Sequence, residues 1–104
     1  MNARTSWASV RDRRMSSPAA KAGYERARRA FELGAEVRRL RESKGMSQAE
    51  LARRIGSTQP SVARLEAGGV APTIDTLERI ATALGLKLAV RFTKPPAHTR
   101  ARSA

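Results

Sequence analysis

The sequence has no cysteine, which rules out disulfide frameworks and thiolate metal sites and fits a reducing, cytoplasmic setting. Histidine occurs once, at His98, close to Pro96 in a stretch that reads as solvated tail. No glycine-rich loop is placed to cradle a phosphate, and no His, Asp or Glu cluster has metal-ligand spacing. With no cysteine nucleophile, a single histidine in the tail and no metal-spaced cluster, no catalytic residue is assigned and neither metal nor cofactor is expected. No apolar run approaches the ~20 residues that span a membrane. The N-terminal MNARTSWASVRDRRM lacks the apolar core of a secretory signal.

Acidic residues are also scarce, with nine Asp and Glu against 21 Lys and Arg in 104 residues, for a formal net charge of +12. That imbalance points to a polyanionic partner, and its placement matters more than its size. Residues 1–34 and 86–104 each carry a net +5, whereas residues 35–85 carry only +2. Basic tails around a nearly balanced centre fit attraction to a DNA backbone. Solubility alone, an acidic partner and a membrane surface are the competing readings. The length suits one small domain with tails rather than two independent cores.

The centre is most specific between Ser47 and Gly68, SQAELARRIGSTQPSVARLEAG. Ser47 with Glu50 three residues later reads as a capping box at a helix start. Leu51, Ala52 and Ile55 follow at helical spacing, and Gly56 supplies the left-handed residue that ends the helix. Thr58 can cap a second helix whose inner face carries Val62 and Leu65, with Pro60 in the first turn, where a missing N–H costs nothing. Ala52 is small where the two helices must approach closely. Two short helices joined by so tight a turn predict a DNA-reading helix-turn-helix.

From about Ala35 to Gly85 the chain resembles the phage-repressor and Cro-like helix-turn-helix domains, the XRE family. The resemblance implies a four- or five-helix, lambda-repressor-like domain, with the second motif helix in the major groove of an operator whose half-sites are two-fold related, bound by a homodimer. Carried over by position, Gln48 anchors the DNA backbone, and Gln59, Pro60, Ser61 and Arg64 face the bases beside the capping Thr58. Pro60 replaces a commoner polar residue and can offer only an apolar contact, such as to a thymine methyl. The resemblance also implies a partly buried ion pair between Arg41 and Glu66, the alternative being two solvated charges. Arg38, Arg39, Arg53 and Arg54 read as phosphate contacts or solvated faces.

The expected architecture is all-α with two additions. Residues 1–17 read as a disordered basic N-terminus, and 18–34 as a helical extension opened by Pro18. Tyr24, Ala27 and Phe31 share one face of that helix, while Leu33, Val37 and Leu40 share a roughly opposite one. Either the chain breaks near Gly34, or a partner covers the Tyr24 face, or Tyr24 and Phe31 fold back on the domain. After the 35–85 domain, with a last helix capped by Thr73, residues 86–93 change period. Leu86, Leu88, Val90 and Phe92 alternate with Lys87, Ala89 and Arg91, as in a β-strand with one buried face. With no second strand in the chain, its partner must come from another chain. Residues 94–104 read as a flexible basic tail. The expected core is Val37, Leu40, Met46, Leu51, Ala52, Ile55, Val62, Leu65, Leu77, Ile80 and Leu84.

Within the XRE family this organisation is similar to HigA-type antitoxins: a helical extension, the sequence YERARRAFELG leading into the domain, and a terminal strand. That resemblance implies a RelE/HigB-like ribonuclease toxin as partner, gripped by Tyr24, Ala27 and Phe31, and repression of the protein's own operon. A stand-alone, phage-like repressor and a bridging cofactor are the alternatives. The basic extension, which gains little from a basic ribonuclease, counts against the antitoxin.

Overall fold

A computed structural model describes residues 17–96, so His98 and the predictions for residues 1–16 and 97–104 lie outside the described residues. The described chain comprises four helices: α1 (Pro18–Ser43), α2 (Gln48–Ile55), α3 (Gln59–Glu66) and α4 (Ile74–Ala83). No helix among them is long and apolar enough to cross a membrane. Each starts where a hydroxyl can accept a backbone N–H: Ser17 from Ala20, Ser47 from Glu50, Thr58 from Ser61 and Thr73 from Thr76. The capping box at Ser47 forms only by half. The Glu50 carboxylate turns instead to Arg54 at 2.8 Å, one helical turn on. Gly56 adopts φ 70°, ending α2 and setting the sharp motif turn.

The core gathers Val37 from α1, Met46, Leu51, Ala52 and Ile55 around α2, Val62 and Leu65 from α3, and Ile80 and Leu84 at α4, with Leu40 partly buried against them. Leu77, expected in the core, is only half-buried.

The chain does not break near Gly34. α1 runs unbroken for 26 residues, about 39 Å at 1.5 Å per residue. Its buried seam is Ala30, Gly34, Val37 and Arg41, which lies between the two stripes read from the sequence. The Tyr24–Phe31 stripe flanks one side of the seam and the Leu33–Leu40 stripe the other. This resolves the apparent conflict of a helix with two opposed apolar faces. Gly34 is a contact point, not a breaker. A Cβ there would lie 2.8 Å from the Glu66 carbonyl oxygen and closer still to that of Leu65. α1 therefore lies flush on the last turn of α3. Just beyond, Gly68 (φ 82°) sits against the backbone of Phe31, 2.7 Å from its Cα to a would-be Cβ. Phe31 itself does not fold into the domain, as the residue is 60% exposed.

Residues 86–96 form no strand with any described residue. Only Leu88 of the alternating set is half-buried, while Leu86, Val90 and Phe92 are exposed, Phe92 completely. A strand is a paired structure, and this segment meets no second edge among the described residues. Between α1 and α4 an open apolar groove of about 420 Å³ is lined by Leu33, Leu40, Leu77, Ile80, Leu84 and Leu88, among others.

The two glycines of α1 separate packing from propensity. Gly34→Ala should destabilise the domain by about 1–3 kcal/mol, because carbonyl oxygens fill the space the methyl needs. Gly23→Ala, whose methyl would meet nothing nearer than 3.9 Å, should stabilise it by about 0.5–1 kcal/mol through helix propensity. Urea denaturation of both variants decides the matter, and equal effects at the two positions would contradict this reading of Gly34.

Candidate nucleic-acid interface

The outward face of α3 follows from which side it buries. Val62, Leu65 and Glu66 point inward. At ~100° per residue this leaves Pro60 and Arg64 at the centre of the exposed face, with Gln59 and Ser61 on its two margins. Pro60 and Arg64 are exposed and Ser61 is half-buried. Thr58 is spent on the helix start: its hydroxyl accepts from the Ser61 N–H and donates to the Ser61 hydroxyl at 2.9 Å. The Arg64 stem lies along Gly69, where a Cβ would come within 2.9 Å of Arg64 Cγ, and no described acid pairs with its guanidinium. Gly69 thus forms a shelf beneath Arg64, a role signalled in the sequence only by the Gly68–Gly69 doublet.

Behind this face stands a buried polar assembly. Arg41 Nε and Nη2 donate to Glu66 Oε2 and Oε1 at 2.7 and 3.0 Å, a bidentate pair in which both side chains are buried. Arg41 Nη1 donates to the Met46 carbonyl at 2.7 Å, tying the α1–α2 connection to the same guanidinium. Gln48 Nε2 donates to Glu66 Oε1 at 3.0 Å, and Gln59 Nε2 donates to Gln48 Oε1 at 2.7 Å. The result is one line of contacts, Arg41–Glu66–Gln48–Gln59, from the core to the first residue of α3. Arg41 and Glu66 were expected to pair. Gln48 was expected only at the DNA backbone, and its bridging role was not read from the sequence. One N–H of Gln48, together with the oxygen and remaining N–H of Gln59, stays available to a ligand.

Burial opposes the charge on Glu66, yet hydrogen bonds from Arg41 and then Gln48 outweigh it and hold the carboxyl below its ordinary range. The hydrogen bond from Arg41 to Glu66 likewise raises the guanidinium pKa despite desolvation. At the other end of the motif, Arg79 reaches from α4 to the Ile55 carbonyl at 3.5 Å while pairing with Asp75 at 3.0 Å. The C-terminus of α2 is thereby tied to α4.

The helix-turn-helix family HTH_3 matches residues 37–90, just over half of the sequence and the whole of α2, α3 and α4. The chain belongs to the helix-turn-helix family. An uncharacterized HTH-type transcriptional regulator, y4dJ, of Sinorhizobium fredii (strain NBRC 101917 / NGR234) is 41% identical over 54 residues, covering 52% of this chain and 70% of the relative. No solved structure matches the chain. The helix-turn-helix domain implies DNA binding. The match leaves out Pro18–Glu36, the first 19 residues of α1.

Glu66 makes the fold acid-sensitive in a defined direction. Because the folded-state pKa is depressed, ionised Glu66 favours the fold over its protonated form. This contribution is fully present above the ordinary value of 4.5 and is lost as pH falls through the lower folded value. Wild type should therefore lose more stability between pH 7 and pH 3 than Glu66→Gln, which starts less stable. Urea midpoints across that range test this, and parallel profiles would contradict it.

Proposed function

We propose that this protein is a sequence-specific, dimeric DNA-binding repressor. More narrowly, we read it as the cytoplasmic antitoxin of a type II pair that restrains a RelE/HigB-like ribonuclease and represses its own operon. The single observation that carries the DNA reading is the polar line from Arg41 to Gln59. It presets the carboxamide at the start of α3 beside the outward-facing Pro60 and Arg64. A preset donor–acceptor group and an unpaired arginine fork suit base edges, the fork matching guanine O6 and N7. The family match and the relative described as a transcriptional regulator support the same reading.

Two exposed apolar features support partners. Leu86 borders the α1–α4 groove, and it, Val90 and Phe92 lie open to solvent. A second copy would satisfy both this surface and the unpaired backbone, with residues 86–93 forming the expected interchain strand. The other feature is the α1 stripe, where Tyr24, Ala27, Arg28 and Phe31 border a shallow hollow of about 330 Å³. This is the surface assigned to the toxin. A stand-alone repressor is the competing reading, favoured by the basic side chains that share the extension with this stripe.

One set of experiments separates the surfaces. Arg64→Ala should weaken binding to a duplex selected from a random pool by about 1–3 kcal/mol while leaving random-DNA affinity nearly unchanged. Tyr24→Asp with Phe31→Asp should leave DNA binding intact and abolish co-purification with the product of an adjacent toxin-like reading frame. Gel shifts and pull-downs read both. An equal loss on selected and random DNA would make Arg64 a phosphate contact, and toxin capture surviving the Asp pair would remove the stripe from the antitoxin reading.

A further inference from the structure

The cations of the α1 extension are used unevenly. Arg28 is held by Glu32 at 3.1 Å, on the side that borders the aromatic stripe. Arg26 and Arg29 are exposed and form no ion pair with any described residue, although Glu25 stands one helical turn before Arg29. They project roughly opposite the Tyr24–Phe31 stripe. With Ala30, Leu33, Ala71 and Pro72 they line a shallow hollow of about 280 Å³. Its other wall is the loop that leaves the recognition helix, and that loop, residues 67–73, carries no charge at all.

The location gives these arginines a use. α3 has eight residues, about 12 Å of helix, which is roughly the width of a major groove. When its first turn meets base edges, its last turn and the following loop emerge at the groove wall, where the phosphates run. In this protein the loop brings no cation to that wall. The hollow between the loop and α1 has a small, apolar floor that can take the arginine stems, with two unpaired guanidinium forks at its rim.

We propose that Arg26 and Arg29 grip adjacent backbone phosphates of duplex DNA beside the base-read half-site. The extension of α1 is then a second DNA-contacting element, carried on a rigid helix rather than a flexible arm. The inference rests on the DNA-binding reading of α3 and adds a contact outside the segment that matches the family. It also gives the basic side of the extension a role separate from that of the aromatic side. Because Gly34 fixes α1 against the last turn of α3, this contact is locked in register with the base-reading face.

The test uses the full chain and a 30-bp duplex of random sequence, with affinity measured by fluorescence anisotropy from 50 to 200 mM salt. Gln keeps the helix propensity of Arg, so R26Q/R29Q should give an unchanged circular dichroism spectrum. Its slope of log affinity against log salt should flatten by about 1.8, at about 0.9 per phosphate contact. Over that salt range the wild type should therefore lose about tenfold more affinity than the variant. R28Q, on the side already paired with Glu32, should keep the wild-type slope. Binding with an unchanged slope in R26Q/R29Q would overturn the proposal while leaving the reading of α3 standing. An equal flattening in R28Q would overturn it too, as would loss of a protein partner in place of the salt effect. A wild type that binds no duplex would overturn both.

Discussion

The buried pair between Arg41 and Glu66 is the constraint on which the outward face of α3 depends. Removing two charges from water costs several kcal/mol per ion, so such a pair adds little net stability even when its geometry is good. Its effect here is orientation. The planar guanidinium meets both carboxylate oxygens at once, fixing the rotation of α3 about its axis relative to α1. The third contact, to the Met46 carbonyl, places the start of α2 against the same group. Gln48 and Gln59 then extend this order outward to the surface. Apolar packing of Val62 and Leu65 alone would hold α3 in place with less control over its roll, because hydrophobic contacts are non-directional.

A second constraint acts along α1. A helix can rest on the carbonyl end of another only where its side chains are absent, and Gly34 provides that absence opposite Leu65 and Glu66. Gly68 repeats the device in the opposite sense, bringing the chain after α3 down onto Phe31. Together they join the extension to α3 without a flexible hinge. The aromatic side chains on one flank and the arginines on the other therefore keep a fixed spatial relation to the outward face of α3.

Much of this was legible in the sequence because it depends on neighbours in the chain. The hydroxyl caps Ser47, Thr58 and Thr73, the left-handed Gly56 and nine of the eleven expected core positions are readable from spacing alone and are present in the structure. The cap Ser17 was not read from the sequence. Features that depend on distant groups were harder to see. Gly34 reads locally as a weak point in a helix, and only the carbonyls of α3 reveal why it is tolerated. Glu50 had two partners within reach, a backbone N–H and the Arg54 side chain, and spacing does not choose between them. Gln48 looked like a surface residue because its bridge depends on Glu66 and Gln59 lying on a different helix. The alternation over residues 86–92 marks strand propensity, but the pairing edge it needs is not found among the described residues.

The central claim is that the polar line fixes the base-reading geometry rather than supplying stability. Its most direct test replaces the buried pair with apolar side chains of similar size, Arg41→Met with Glu66→Leu. Affinity would be compared on a duplex that the wild type selects from a random pool and on random duplex. The account predicts a folded domain within about 1–2 kcal/mol of wild-type stability. Its preference for the selected duplex should fall at least tenfold, with random-DNA affinity retained. A double variant that folds and keeps the full wild-type preference would show that packing alone orients α3, and would contradict the account.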